Sequence, residues 1–108
     1  MPTAADFRKI ATALDGVVEG EHQAHPDFRV QGRVFATITA DGTRGMVKVT
    51  PAQQLEWTRA DSAFSPASGA WGRAGCTMVD LALVTKARLR EAIVAAWANA
   101  SAAGKRSR

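Results

Sequence analysis

One cysteine, Cys76, serves a chain of 108 residues. A single thiol excludes an internal disulfide and any zinc site built from cysteine pairs, and it fits a reducing compartment. Long apolar runs are also missing. No stretch approaches the ~18 apolar residues of a membrane span, and the start MPTAADFRKI lacks the apolar core of a secretion signal. Neither membrane insertion nor export is expected, and the cytoplasm is the expected location. Catalytic signatures are absent as well: there is no phosphate-cradling glycine loop closed by Lys-Ser or Lys-Thr, no G-x-S-x-G, and no carboxylate pair spaced for acid and base roles. Cys76 opens an apolar segment and reads as a small buried hydrophobe rather than a nucleophile. The chain is therefore expected to be a non-enzyme without a cofactor. Internal repeats are lacking too.

What is present is the composition of one globular domain, with 46% apolar and 22% charged residues. The domain is expected over residues 1–103, with 104–108 as a basic, flexible tail. The net charge of +4 is unevenly spread. Residues 1–27 carry two basic and five acidic groups, whereas residues 28–108 carry twelve basic and five acidic ones. A basic patch on the later part follows, although Lys105, Arg106 and Arg108 of the tail supply three of its charges.

Periodicity sets the order of elements. Phe7, Ile10, Ala11 and Leu14 share one helical face, and Thr3 with Asp6 forms a capping-box pattern ahead of them. Glycine punctuation and alternation then predict strands near 17–23, 27–31, 33–40 and 44–49. Thr50-Pro51-Ala52-Gln53 predicts a second helix running to about Ala60, with Thr50 as its cap and Pro51 at its first position. Residues 61–75 show no period and read as a long ordered loop around Phe64 and Trp71. A last strand over 76–84 leads into a third helix from Thr85, with Leu89, Ile93, Ala96, Trp97 and Ala100 on its stripe and Gly104 as its stop.

This order predicts an α+β fold: a twisted antiparallel sheet with three helices on one face and the other face open. Alternation places Phe28, Val30, Val34, Ala36, Ile38, Val47 and Val49 under the helices. It leaves Arg29, Arg33, Phe35, Thr37, Arg44, Met46 and Lys48 on the open side.

Four ordered blocks carry a resemblance. They are His25-Pro26-Asp27-Phe28-Arg29-Val30, Gly32-Arg33-Val34-Phe35-Ala36-Thr37, Gly45-Met46-Val47-Lys48-Val49-Thr50-Pro51 and Gly69-Ala70-Trp71-Gly72-Arg73-Ala74-Gly75. Over Asp6 to Trp97 the chain resembles the MmcQ/YjbR family. That resemblance implies a frataxin-like (CyaY-like) α+β domain and a DNA-binding role through hairpins resembling a double wing. The chain departs from the family pattern in having Cys76 where an aromatic residue is common. It also has Lys86 and Arg88 where acidic residues are common.

Several residue sets are candidates for binding. Arg29, Arg33, Phe35, Arg44 and Lys48, with Arg73 from the loop, combine cations for phosphates with an aromatic surface for a base, which suits DNA. The competing reading is a small-ligand or peptide pocket around His25, Trp71 and Arg73, within the His-Pro and Gly-Ala-Trp-Gly blocks. In the plainer account, Trp71 plugs the edge of the core. Lys86 and Arg88 lie at a helix start, where their charge opposes the helix dipole, and form a candidate anion site. His22, His25 and Asp27 could converge on a metal only if the chain bends at Pro26, and strand geometry opposes this, so no metal is expected. The partner would be DNA or a small ligand, and the protein a monomer or a homodimer.

Overall fold

In the computed structural model, which describes residues 2–22 and 24–106, the chain folds as α+β. The first helix, α1 (Ala4–Thr12), begins at the capping box. The Asp6 N–H donates to Thr3 Oγ1 at 3.2 Å, and the Thr3 N–H donates to Asp6 Oδ2 at 2.9 Å. Its Phe7 and Ala11 are fully buried. Four strands follow as a meander: β1 (Val17–His22), β2 (His25–Val30), β3 (Arg33–Ile38) and β4 (Arg44–Lys48). The second helix, α2 (Pro51–Ala60), starts on Thr50 and Gln53 with both capping-box bonds in place.

The region from 61 to 75 is not a loop throughout. It holds a short strand, β5 (Phe64–Pro66), and a short helix, α3 (Gly69–Arg73), so the described residues form four helices rather than three. No period marks them because each is too short to repeat an apolar position. β6 (Cys76–Asp80) then ends earlier than alternation predicts. The Asp80 carboxylate accepts from the Ala82 N–H at 2.9 Å and turns the chain, which leaves Leu83 61% exposed instead of in the core.

The last helix, α4 (Lys86–Arg106), buries Leu89, Ala92, Ile93 and Ala96 at helical spacing. It does not stop at Gly104. An interior glycine costs only about 1 kcal/mol against alanine, and Ala102 and Ala103 carry the helix into it. Ser107 and Arg108 lie outside the described residues, as do the side chains of Lys105, Arg106 and His22.

The six strands of the described residues join one antiparallel sheet in the order β1-β2-β3-β4-β6-β5. The long last helix, α4, packs against β2, β3 and β4 on one face, with α1 beside it. On the same face α2 inserts Trp57 against Phe64, ring centroids 5.6 Å apart. Among the described residues, no helix is long and apolar enough to cross a membrane.

The alternation along β3 is broken, and this decides which residues reach the open face. Phe28 pairs with Ala36 and the next residue, Arg29, pairs with Val34, so Phe35 is the extra residue of a β-bulge. Phe35 and Ala36 therefore both turn into the core at 0% exposure, and Val34 turns outward. The sequence-based placement of Phe35 on the open face and of Val34 under the helices is thus reversed.

A polar knot closes the β3–β4 turn. The Asp41 carboxylate accepts from the Thr43 N–H at 3.0 Å and from the Thr43 and Thr39 hydroxyls at 2.8 Å each. These donors hold its pKa at about 2, below the ordinary 3.8. A carboxylate depressed in this way stabilises the fold above its ordinary pKa, and the contribution is lost as pH falls through the folded value. Asp41→Ala is expected to melt below the wild type at neutral pH. In thermal melts the gap between the two should close from a pH of about 4 to about 2.

Candidate ligand-binding trough

The open face carries a row of paired residues that runs straight across the sheet: Gly20, Asp27, Thr37, Met46, Met78 and Ser65. Its middle members, Thr37, Met46 and Met78, form the floor of a depression of about 800 Å³. His25 and Thr39 line it toward one end of the strands. Toward the other end, where β3 begins and β4 ends, it is lined by Arg33, Val34, Lys48 and Cys76, together with Trp71 of α3. The closing turns of α4 add Asn99, Ala100 and Ala103. Such a volume falls in the range of sites for small organic ligands, about 300–1,000 Å³.

Trp71 does not plug the core. It is 70% exposed, on a helix of five residues. That helix is nonetheless held tightly from beneath. The Gln54 amide of α2 donates to the carbonyls of Gly72 at 3.0 Å and Cys76 at 2.9 Å. Gly72 is buried so close to the backbone of Ala67 that a side chain at position 72 would collide with the Ala67 carbonyl. The indole is therefore an exposed platform on a rigid mount.

The cations divide by environment. Lys48 and Arg33 line the trough and are exposed. Arg29 is committed to Asp27, two residues away on the same face. Its Nε and one terminal nitrogen donate to the two carboxylate oxygens at 2.9 and 3.0 Å. This contact, with the attraction of the carboxylate, raises the Arg29 pKa. Asp27 itself is fully buried, so the pair neutralises a charge that water cannot reach. Arg44 and Arg73 are exposed but do not line the trough.

The two cations at the start of α4 sit beside separate carboxylates. Lys86 Nζ is 3.6 Å from Asp6 of α1, and Arg88 Nε is 4.0 Å from Asp61 at the end of α2. The Asp6 carboxyl lies below its ordinary pKa, chiefly through the Thr3 N–H and also through Lys86. Cys76 is buried, and burial pushes its thiol pKa up even though Lys48 is across from it. Among the described residues, no group of three or more His, Cys, Asp or Glu side chains is placed to hold a metal ion.

Of the predicted site residues, the structure thus brings His25, Arg33, Lys48 and Trp71 to one cavity. Sequence reading missed Val34, Thr39, Met78, Asn99, Ala100 and Ala103. Alternation does place Met78 opposite the core-facing Val79, which was the available signal. Asn99 gave none, because a polar residue flanking the apolar stripe of a helix reads as an ordinary solvent-facing position.

A family model described as YjbR matches residues 12–99. The chain is similar in fold to the crystal structure of Deinococcus radiodurans protein DR2400, described as a DUF419 domain. That likeness has a TM-score of 0.76 at 21% identity and covers 90% of this chain and 77% of the other. No curated protein matches.

Proposed function

From the chain's membership of the YjbR family, and from the trough its open sheet face forms, we propose a non-enzymatic binding protein that takes a small ligand on that face. One observation carries this reading. Two exposed cations, an exposed tryptophan and a Thr-Met-Met floor line a single cavity of about 800 Å³. Paired methionines suit such a floor, since an unbranched, polarizable side chain adapts to the shape it meets. Lys48 and Arg33 would hold an anionic group, and Arg suits planar oxyanions through its forked donors.

DNA across the same face is the second reading, favoured by the exposed Arg73, which shares α3 with Trp71. It has fewer residues to draw on than the sequence suggested, because Phe35 is in the core and Arg29 is bound to Asp27. It also makes a different demand: phosphate contacts weaken steeply with salt, whereas a small pocket responds little.

The methionine methyls are the natural reporters, because Met46 and Met78 both stand on the trough floor. NMR of the 13C-labelled methyls, titrated with adenosine monophosphate, decanoate and a short DNA duplex, is expected to show saturable shifts at both with at least one small probe. Small-probe shifts should persist between ~50 and ~200 mM salt, over which a polymer bound through several phosphates loses orders of magnitude in affinity. If neither small probe moves the two methyls, the reading fails. A DNA complex that leaves them unmoved would place nucleic-acid binding elsewhere on the protein.

A further inference from the structure

We infer that the ligand of the trough is a planar aromatic molecule bearing one phosphate or carboxylate, of about the size of a nucleoside monophosphate. The inference rests on the reading of the trough as the binding site and adds the chemical class.

Its first support is Trp71. Burying a tryptophan is worth more than burying almost any other side chain, yet this one stands 70% exposed while Trp57 is in the core. The fold spends several contacts on fixing its backbone. Gln54 bridges Gly72 and Cys76 from below, and Gly72 rests against the Ala67 backbone. A ring that is both exposed and rigidly mounted offers a flat face with little ordering cost on binding. The complementary surface is another flat ring, since stacking uses the whole face, whereas an aliphatic chain uses little of it.

Charge supplies the second support. The Lys48 side chain makes no ion pair or hydrogen bond among the described residues, and it lines the same cavity as Trp71 and Arg33. The carboxylates that neutralise cations elsewhere are not among the lining residues, as Asp27 is on Arg29, Asp6 beside Lys86 and Asp61 beside Arg88. Among the described residues the trough is lined by two cations and no carboxylate, a balance that selects for an anion. The third support is Asn99. Its Nδ2 donates to Gln53 at 2.9 Å, which orients the amide and leaves Oδ1 to accept from an amino group on the ring.

The test compares adenosine monophosphate with its parts on the full chain, read by the Met46 and Met78 methyls. Adenosine, which lacks the phosphate, and ribose 5-phosphate, which lacks the ring, are each expected to bind at least about tenfold more weakly. Trp71→Ala and Lys48→Gln alter exposed side chains, so both are expected to melt close to wild type. The first should remove the advantage of the ring and the second most of the advantage of the phosphate. The inference is overturned if decanoate binds as tightly as adenosine monophosphate, or if either fragment does. The broader reading survives that outcome, because the methyls would still report a ligand in the trough. It is also overturned if single-stranded DNA moves the methyls with a steep salt dependence while the mononucleotide moves nothing. If no small probe binds at all, the underlying reading falls with it.

Discussion

Phe35→Ala is expected to lose about 3–5 kcal/mol of stability and to melt lower by on the order of 15 °C or more. Phe35 is fully buried, one of the largest side chains in the core, and it reaches the core only because of the bulge opposite Phe28 and Arg29. Truncating it removes most of a ring from a close-packed interior. The lost transfer energy and the cavity left behind then add. Phe35→Leu, which keeps most of the volume, should cost far less, about 1.5 kcal/mol or below. Chemical denaturation of the three proteins checks this directly. A Phe35→Ala protein as stable as wild type but impaired in binding would return the ring to the open face. It would also mean that the register of β3 is wrong.

Gly75→Ala is the other large effect, expected at about 3 kcal/mol or more. Gly75 sits at φ +110°, which L side chains rarely adopt, and a Cβ there would run into the carbonyl of Val49. Neither partner can yield cheaply. The Val49 N–H donates back to the Gly75 carbonyl at 3.3 Å, and the buried Thr77 hydroxyl donates to the same oxygen at 3.0 Å. This contact ties the end of β4 to the start of β6 beneath the mount of Trp71. Gly69→Ala is the control. Gly69 has φ +65° but open space around it, so alanine should cost only the left-handed backbone penalty of about 1–2 kcal/mol. Melting curves in which the two substitutions are equally damaging would show that backbone conformation alone, and not the close approach to Val49, governs the site.

These two positions mark the limit of what could be read from the chain. Both capping boxes, the apolar stripes of α1 and α4 and the meander of β1 to β4 were legible. Each is a local pattern: a side chain reaches three residues along, or a period repeats along one segment. The antiparallel class with one face open followed from their order, and Arg33, Lys48, His25 and Trp71 were recognisable as candidates by residue type. The bulge at Phe35 left no mark, because an extra residue in one strand is defined by the partner strand and by the core that draws the ring in.

The elements between 61 and 75 were hidden for a related reason. A three-residue strand exists only through its pairing with β6, and a five-residue helix only through the contacts of Gly72, Gly75 and Gln54. The cations show the same division. Sequence counts them, but Asp6 and Asp61 standing beside Lys86 and Arg88 is a matter of neighbours distant in the chain, and Asp27 takes Arg29, two residues along the same strand, where the fold buries its carboxylate. By itself, then, the sequence determined the three longer helices, the strand order within the meander and the kind of chemistry available. Tertiary structure decided which side chains share the trough, because packing and strand register, rather than residue type, determine where each one points.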